Sequence, residues 1–279
     1  MRTLPRAAVP FIGQSFHRAS RYSPRHRPRR LLVTLTAGGT SIDQLYGDAP
    51  IGRTGRGTRY IDLTDDFVSW LSFANAGMLN KGNLLCFDYV MRNLPSGNPM
   101  VEIGSFAGLS TNLINYYRRR HGATNALYTC DAWQFEGAAG QVGDSDISHD
   151  AYRQFVRETY LRNVGMFSGD KLPRTVEACA DDFFAMWGAG RQTVDVFGRG
   201  WRLGGPISFC YIDGDHRYEA AARDFRNTDR FLEPGGFVLF DDSADGSKWE
   251  VTRVIEEVKR LGTYRVVIQN PNYLFQKIS

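Results

Sequence analysis

The 279-residue sequence predicts an α/β fold: a doubly wound, mostly parallel seven-stranded sheet with an antiparallel last strand, helices on both faces and N-terminal cap helices. Three observations predict it. From Met100 onward, short apolar runs alternate with amphipathic stretches of helix length, the pattern of strands joined by helical crossovers. Four of those runs end in acid, at Glu102, Asp131, Asp213 and Asp241-Asp242. The last two runs are joined only by Asn270-Pro271-Asn272, too short for a crossover, so one strand must run against the others.

Taken in order, the stretch 63–76 reads as a helix, with Thr64 as N-cap and Asp65 and Asp66 in its first turn. After a loop over 77–82, the stretch 84–94 is a second helix, ended by Pro95-Ser96-Gly97. Both precede the sheet and are candidates for a cap over the mouth of a site. Strand 100–104 passes through a glycine turn into a helix over 110–120. Strand 126–131, a glycine-rich loop over 137–148 and an amphipathic helix over 150–164 follow. Strand 174–179 then leads to a short helix ending at Trp187. The stretch 188–206 exceeds an ordinary connection; Val194, Val196, Trp201 and Leu203 around Gly198-Arg199-Gly200 fit a small hairpin. Strand 207–213, helix 218–231 (stopped by Pro234-Gly235-Gly236), strand 237–242 and helix 248–261 complete the alternation. A hairpin of 264–269 and 273–278 closes it. The chain divides into a basic tail over 1–40, a cap segment over 41–98 and a main domain over 99–279.

Composition narrows the class. A hydrophobic content of 42% supports a real core, and the mean hydropathy is −0.35. No apolar run nears the ~20 residues of a membrane helix. The net charge of +4 misleads as an average: eight arginines, Arg2 to Arg30, crowd the first thirty residues, and the first acid is Asp43. Without that tail the body is slightly acidic, so neither a nucleic acid nor a membrane is expected as partner. The tail reads as disordered; its composition also fits an organellar transit peptide, a basic arm for a polyanion, or an upstream non-native start. Cys86, Cys130, Cys179 and Cys210 form no CxxC pair and mostly sit in apolar runs. Buried thiols in a reducing compartment are expected, hence a cytoplasmic protein.

The chemistry must sit beyond the carboxyl ends of the strands, where open parallel sheets bind ligands. There Val101-Glu102-Ile103-Gly104-Ser105-Phe106-Ala107-Gly108 forms a strand–loop–helix turn whose glycines let a ligand approach the backbone. Asp131 suits the hydroxyls of a ribose, and Asp213, Asp241 and Asp242 suit a hard divalent cation. Single strand-end acids serve as caps or ion-pair partners in many folds. Acids on four strand ends raise the self-energy of the fold unless cations or donors meet them.

These residues, with Ile212-Asp213-Gly214-Asp215-His216 and Pro234-Gly235-Gly236, resemble a class I S-adenosylmethionine-dependent methyltransferase. The nearest-looking branch is the small-molecule O-methyltransferases, of catechol and caffeoyl-CoA type and macrocin-type sugar methyltransferases. The resemblance covers about residues 76–279 and implies a Rossmann-like fold. It implies that Gly104, Ser105, Phe106 and Gly108 pass the methionine part of the cofactor, with Glu102 beneath and Ser110 near the carboxylate. It places the ribose on Asp131, the adenine between Ala132 and Trp133, and the adenine amino group near Ala180 and Asp181. Met78 and Leu79 align with a loop that closes over the methionine end. Asp213, which also borders the cofactor, Asp241 and Asp242 match the ligands of a Mg²⁺ site. His216 stands where catechol-type members place a lysine base, and Asp242 where plant and animal members have Asn; Asp there is closer to the macrocin branch.

The resemblance thus implies methylation of a hydroxyl on a small acceptor, a sugar, diol or phenol. His216 and Asp213 are the catalytic pair: an imidazole accepts a proton near neutral pH, and Asp215 is read as orienting Asp213 or His216. His149, Tyr152 and Trp249 are candidates to line the acceptor site. Two other readings stay open: a metal-independent methyltransferase using His216 alone as base, and a cofactor-binding relative without methyl transfer. Cap helices of this kind pair, so a homodimer is an expectation.

Overall fold

A computed structural model describes residues 45–55, 57–135 and 139–279. The basic tail, the first residues of the cap segment and the start of the glycine-rich loop lie outside the described residues. Ile51–Arg53 (β1) and Arg59–Ile61 (β2) pair as a small antiparallel ribbon. Helices Asp66–Ala74 (α1) and Asn83–Asn93 (α2) follow. The N-cap of α1 is Asp65, not Thr64: its carboxylate accepts from Val68 N at 2.9 Å, while the Thr64 hydroxyl donates to Asp62 instead.

Then come Met100–Ile103 (β3), Leu109–Arg120 (α3), Leu127–Cys130 (β4), His149–Phe167 (α4) and Arg174–Val176 (β5). Ala180–Gly188 (α5), the pair Gln192–Val194 (β6) and Gly200–Arg202 (β7), and Ile207–Ile212 (β8) are next. Tyr218–Asp229 (α6), Leu232–Phe240 (β9), Val251–Arg260 (α7), Tyr264–Gln269 (β10) and Tyr273–Lys277 (β11) complete the chain.

The seven strands run in the order β10-β11-β9-β8-β3-β4-β5. Only β11 is antiparallel, inserted between β9 and β10. The sheet is therefore wound outward from β3, first toward β4 and β5, then back past β3 to β8. The switch point lies between β3 and β8, the crevice where such sheets bind ligands. Helices α1 to α4 pack with one another, and α5 to α7 form a second packed set. The described residues form one compact unit, so the cap residues among them belong to the same body as the sheet.

Alternation within the strands assigns the faces. Val101, Ile103, Cys210, Ile212, Val238 and Phe240 join one core with Val251, Val254, Ile255 and Val258, which recur at helical spacing along α7. Residues between them serve the other face: Phe87 of α2 meets Phe209 and Tyr211 edge-on, at 6.5 and 5.2 Å between centroids. Three cysteines are buried and Cys179 is exposed.

Two strands differ from expectation. Strand β5 stops at Val176, three residues early. Strand β9 begins at Leu232 and passes through Pro234-Gly235-Gly236, with a register shift against β8 that lets the proline in. The stretch 188–206 does form a hairpin, which covers the open edge of β5: Val196 N donates to Thr175 O at 2.9 Å. Buried Asp195 organises it, accepting from Phe197 N, Arg199 N and Nε, and Trp201 Nε1 at 2.8–2.9 Å. Asp195→Ala should lower stability by about 2–4 kcal/mol, because four donors lose one acceptor. A denaturant midpoint equal to wild type would contradict this.

Candidate active site

The ladder of the sheet brings four strand ends to one level. Gly104 N donates to Cys130 O at 3.0 Å, Asp213 N to Ile103 O at 2.9 Å, and Asp241 N to Ile212 O at 2.9 Å. Gly104 has φ +79°, and a Cβ there would lie 2.1 Å from the backbone oxygen of Asp213. No other residue fits at that crossing of β3 and β8. Gly108, at φ +89°, opens α3; a Cβ on it would meet Val164 at 2.7 Å.

Among the described residues, positive φ outside glycine occurs at Phe106, Trp133 and Asp242 alone. Each lies just beyond a strand end, after β3, β4 and β9. Such strained conformations persist where surroundings over-determine them, typically at functional sites. Phe106 is held at both ends: its N–H donates to Asp131 Oδ2 at 2.9 Å, and its carbonyl accepts from Trp133 Nε1 at 2.9 Å.

Asp131 accepts from Ser105 N at 2.8 Å and, through Oδ1, from Trp133 N at 2.6 Å. It therefore shapes the glycine loop itself. Burial raises its pKa and these backbone donors oppose the rise. Trp133 does not stand open to an adenine: its ring is buried against Tyr160, with 5.4 Å between centroids, while Ala132 stays half-buried. Asp181 also departs from its expected place. With β5 three residues shorter, Glu177, Ala178 and Cys179 follow the strand end; Ala180 opens α5, and Asp181 turns to α6, pairing with Arg223 at 3.0 Å and Asn227 at 2.7 Å. Met78 is 83% exposed in the loop between α1 and α2, with Leu79 beside it.

Glu102 is fully buried. Its Oε2 accepts from the Thr111 hydroxyl at 2.5 Å. Oε1 has no hydrogen-bond partner among the described residues. Burial pushes the carboxyl up to about 7. A raised carboxyl pKa makes the ionised form costly in the fold. Stability is therefore full below the ordinary Glu range and declines as pH rises through about 7. Glu102→Gln should melt like wild type near pH 4 and above it at pH 8, by roughly 1–3 kcal/mol. A Gln variant less stable than wild type at pH 8 would contradict this assignment.

On the β8 and β9 ends, Asp213, His216 and Asp241 each offer a ligand atom within 4.8 Å of the others. Asp242 lies one step out, its Oδ2 3.6 Å from His216 Nε2, because consecutive residues leave a strand in different directions. Burial and then the neighbouring Asp241 charge hold Asp213 well above the carboxylate range. Asp241 is raised by burial and then by Asp242. Among the described residues no lysine or arginine forms an ion pair with either. Asp215 instead binds Arg217 Nε at 2.8 Å. Trp249 packs beside His216, with 5.3 Å between ring centroids, at the open side of the cluster. Tyr152 packs at a tilt against Phe135, and His149 begins α4 with its Nδ1 unbonded among the described residues.

Three residues that the sequence does not flag share the cluster. Asn83 and Asn272 donate to Asp241 Oδ1 at 2.5 and 2.9 Å, and the Tyr211 hydroxyl donates to Asp213 Oδ2 at 3.1 Å. A faint signal exists for Tyr211, which lies two residues before Asp213 on the same strand face. None marks the two asparagines. A cavity of about 410 Å³ lies apart from all this, lined by Tyr46, Asp62, Asp65, Asp88, Arg92 and Arg120.

Fold and site define a class: a doubly wound α/β enzyme with a glycine loop at its switch point and clustered acids on the next two strand ends. A family model described as a methyltransferase domain matches residues 101–243, just over half of the chain, and the chain belongs to that family. It is an enzyme of the S-adenosylmethionine-dependent methyltransferase class. Two solved structures share the fold. A candidate O-methyltransferase from Klebsiella pneumoniae is 13% identical, with a TM-score of 0.51 over 77% of this chain and 91% of that one. Cofactor-bound Rv0187 from MTB is 12% identical, with a TM-score of 0.50 and the same coverage, 77% and 91%.

Proposed function

We propose that this methyltransferase acts on oxygen, methylating a hydroxyl of a small sugar, diol or phenolic acceptor with the help of a divalent cation, Mg²⁺ by its oxygen donors. The observation that carries this reading is the meeting of Asp213, His216 and Asp241 at the β8 and β9 ends, within 4.8 Å. One buried and one half-buried carboxylate, with no lysine or arginine in ion-pair range among the described residues, form a donor set suited to a hard cation. Asp213 and Asp241 would hold it, with Asp242 at the rim. A cation there would supply positive charge that helps hold the acceptor and lowers the pKa of its hydroxyl.

The chain's own residues do the rest. The 104–108 loop, closed by Asp131, receives the methyl donor, and Glu102 Oε1 is the orphan acceptor that fits its ammonium group. Trp249 shields one side of the acceptor, and His216 takes the hydroxyl proton as the oxygen attacks in line. We place the activity in the cytoplasm, a reading supported by four free cysteines.

The test is transfer of labelled methyl from S-adenosylmethionine to a panel of vicinal diols and phenols, in EDTA and then with Mg²⁺. Turnover confined to acceptors with neighbouring oxygens, and only with Mg²⁺, is expected. Equal turnover in EDTA would favour the metal-independent alternative. A second reading makes His216 a metal ligand in place of Asp242, since its ring nitrogen belongs to the 4.8 Å cluster. His216→Gln separates the two: a lost base lowers kcat at unchanged Mg²⁺ affinity, whereas a lost ligand lowers the affinity itself.

A further inference from the structure

Asp241 is 3% exposed and yet, among the described residues, forms no ion pair. What it has is two amides. Asn83, the first residue of α2, donates to Oδ1 at 2.5 Å, and Asn272, in the turn between β10 and β11, donates to the same oxygen at 2.9 Å. The amides are joined to each other: Asn272 Nδ2 also lies 3.0 Å from Asn83 Oδ1. Asn83 Nδ2 further reaches the Tyr211 hydroxyl at 3.2 Å, and that hydroxyl donates to Asp213 Oδ2 at 3.1 Å. Asn83, Tyr211 and Asn272 are all completely buried. Burying this much polar surface is costly unless each group is satisfied, and here the satisfaction is mutual and ends on the two acids.

The turn is itself fixed from outside the sheet. Asn270 Oδ1 accepts from Ile61 N at 2.7 Å, and its Nδ2 donates to Ile61 O and Gly82 O at 3.0 Å each. Gly82 has no room for a side chain, since a Cβ there would lie 1.7 Å from Asn270 O. The Asn270-Pro271-Asn272 turn thus staples β2, the start of α2 and the end of β9 together.

We propose that Asn83, Asn272 and Tyr211 are positioning residues for cation-dependent methyl transfer. They fix the torsions of Asp241 and Asp213 so that the oxygens not engaged by the relay face a common cation. With Oδ1 of Asp241 committed to two amide donors, Oδ2 is its oxygen free of amides. The relay makes the cap segment a structural part of the metal site rather than only a lid beside it. This inference rests on the metal reading above.

The experiment is calorimetric titration of Mn²⁺ and of Mg²⁺ into wild type, Tyr211→Phe and Asn83→Leu, with S-adenosylmethionine affinity measured separately in EDTA. Cation affinity should fall about tenfold to a hundredfold in each variant, the effect of losing a partner that orients a ligand. Affinity for S-adenosylmethionine, which the 104–108 loop receives, should stay within about twofold of wild type by the same separation of sites. Tyr211→Phe removes one oxygen and keeps the ring, so it decides the matter if Asn83→Leu does not fold. Cation affinity equal to wild type in folded Tyr211→Phe would overturn the relay, as would parallel loss of both ligands. Wild type that binds S-adenosylmethionine but no cation would instead bring down the metal reading, and the relay with it.

Discussion

Asp241→Asn should reduce cation-dependent methyl transfer by about a thousandfold while raising the melting temperature of the cation-free protein. Both effects follow from one property. Burial, followed by the charge of Asp242, holds the Asp241 carboxyl above the ordinary range. Its ionised form is therefore a cost that grows as pH rises, and asparagine does not carry it. The amide also fits the site. Its oxygen can take the donors of Asn83 and Asn272, and its nitrogen can donate toward the Asp213 carboxyl. Asparagine cannot supply the negative charge a hard cation needs. Thermal melts in EDTA at pH 6 and pH 8, with activity in Mg²⁺, test both halves. The stability gain should be larger at pH 8. A variant that loses stability and activity together would mean that the acids serve the fold, not the reaction.

The second large effect is expected at the glycine loop. Gly104→Ala should cost at least about 3 kcal/mol of stability and lower S-adenosylmethionine affinity by more than about a hundredfold. The new methyl group would sit 2.1 Å from the Asp213 oxygen and 2.7 Å from its carbonyl carbon, at a φ of +79°. Relief requires β3 and β8 to part or the loop to lift, and either moves Ser105 and Phe106 off Asp131. Gly97→Ala is the control. A Cβ there meets nothing within 4 Å, so its effect should stay within about 0.5 kcal/mol. Equal denaturant midpoints for the two variants would contradict the close approach at the switch point.

How legible this was in the sequence depends on the range of the interaction concerned. The strands and their acids could be read because burial imposes short apolar runs, and four of those runs ended in Glu102, Asp131, Asp213 and Asp241. The single antiparallel strand followed from the brevity of Asn270-Pro271-Asn272. The direction of the Trp133 ring could not be read, because sequence shows that an aromatic follows a strand but not which way it turns; at φ +49° it packs against Tyr160. The end of β5 before Asp181 could not be read either, since Val176-Glu177-Ala178-Cys179 carries no signal for where pairing with β4 stops. The amides around Asp241 were invisible for a different reason. Asn83 and Asn272 are 189 residues apart, and only the tertiary fold brings them to one carboxylate.

The most direct test of the central claim is a calorimetric titration of S-adenosylmethionine into the purified protein, with and without excess EDTA. Binding in the micromolar range, unchanged by EDTA, is predicted, because the loop at Glu102–Gly108 receives the methyl donor while the acids at Asp213 and Asp241 serve the acceptor. Absence of binding in both conditions would contradict it and reduce the Gly104–Gly108 turn to an ordinary strand-to-helix connection.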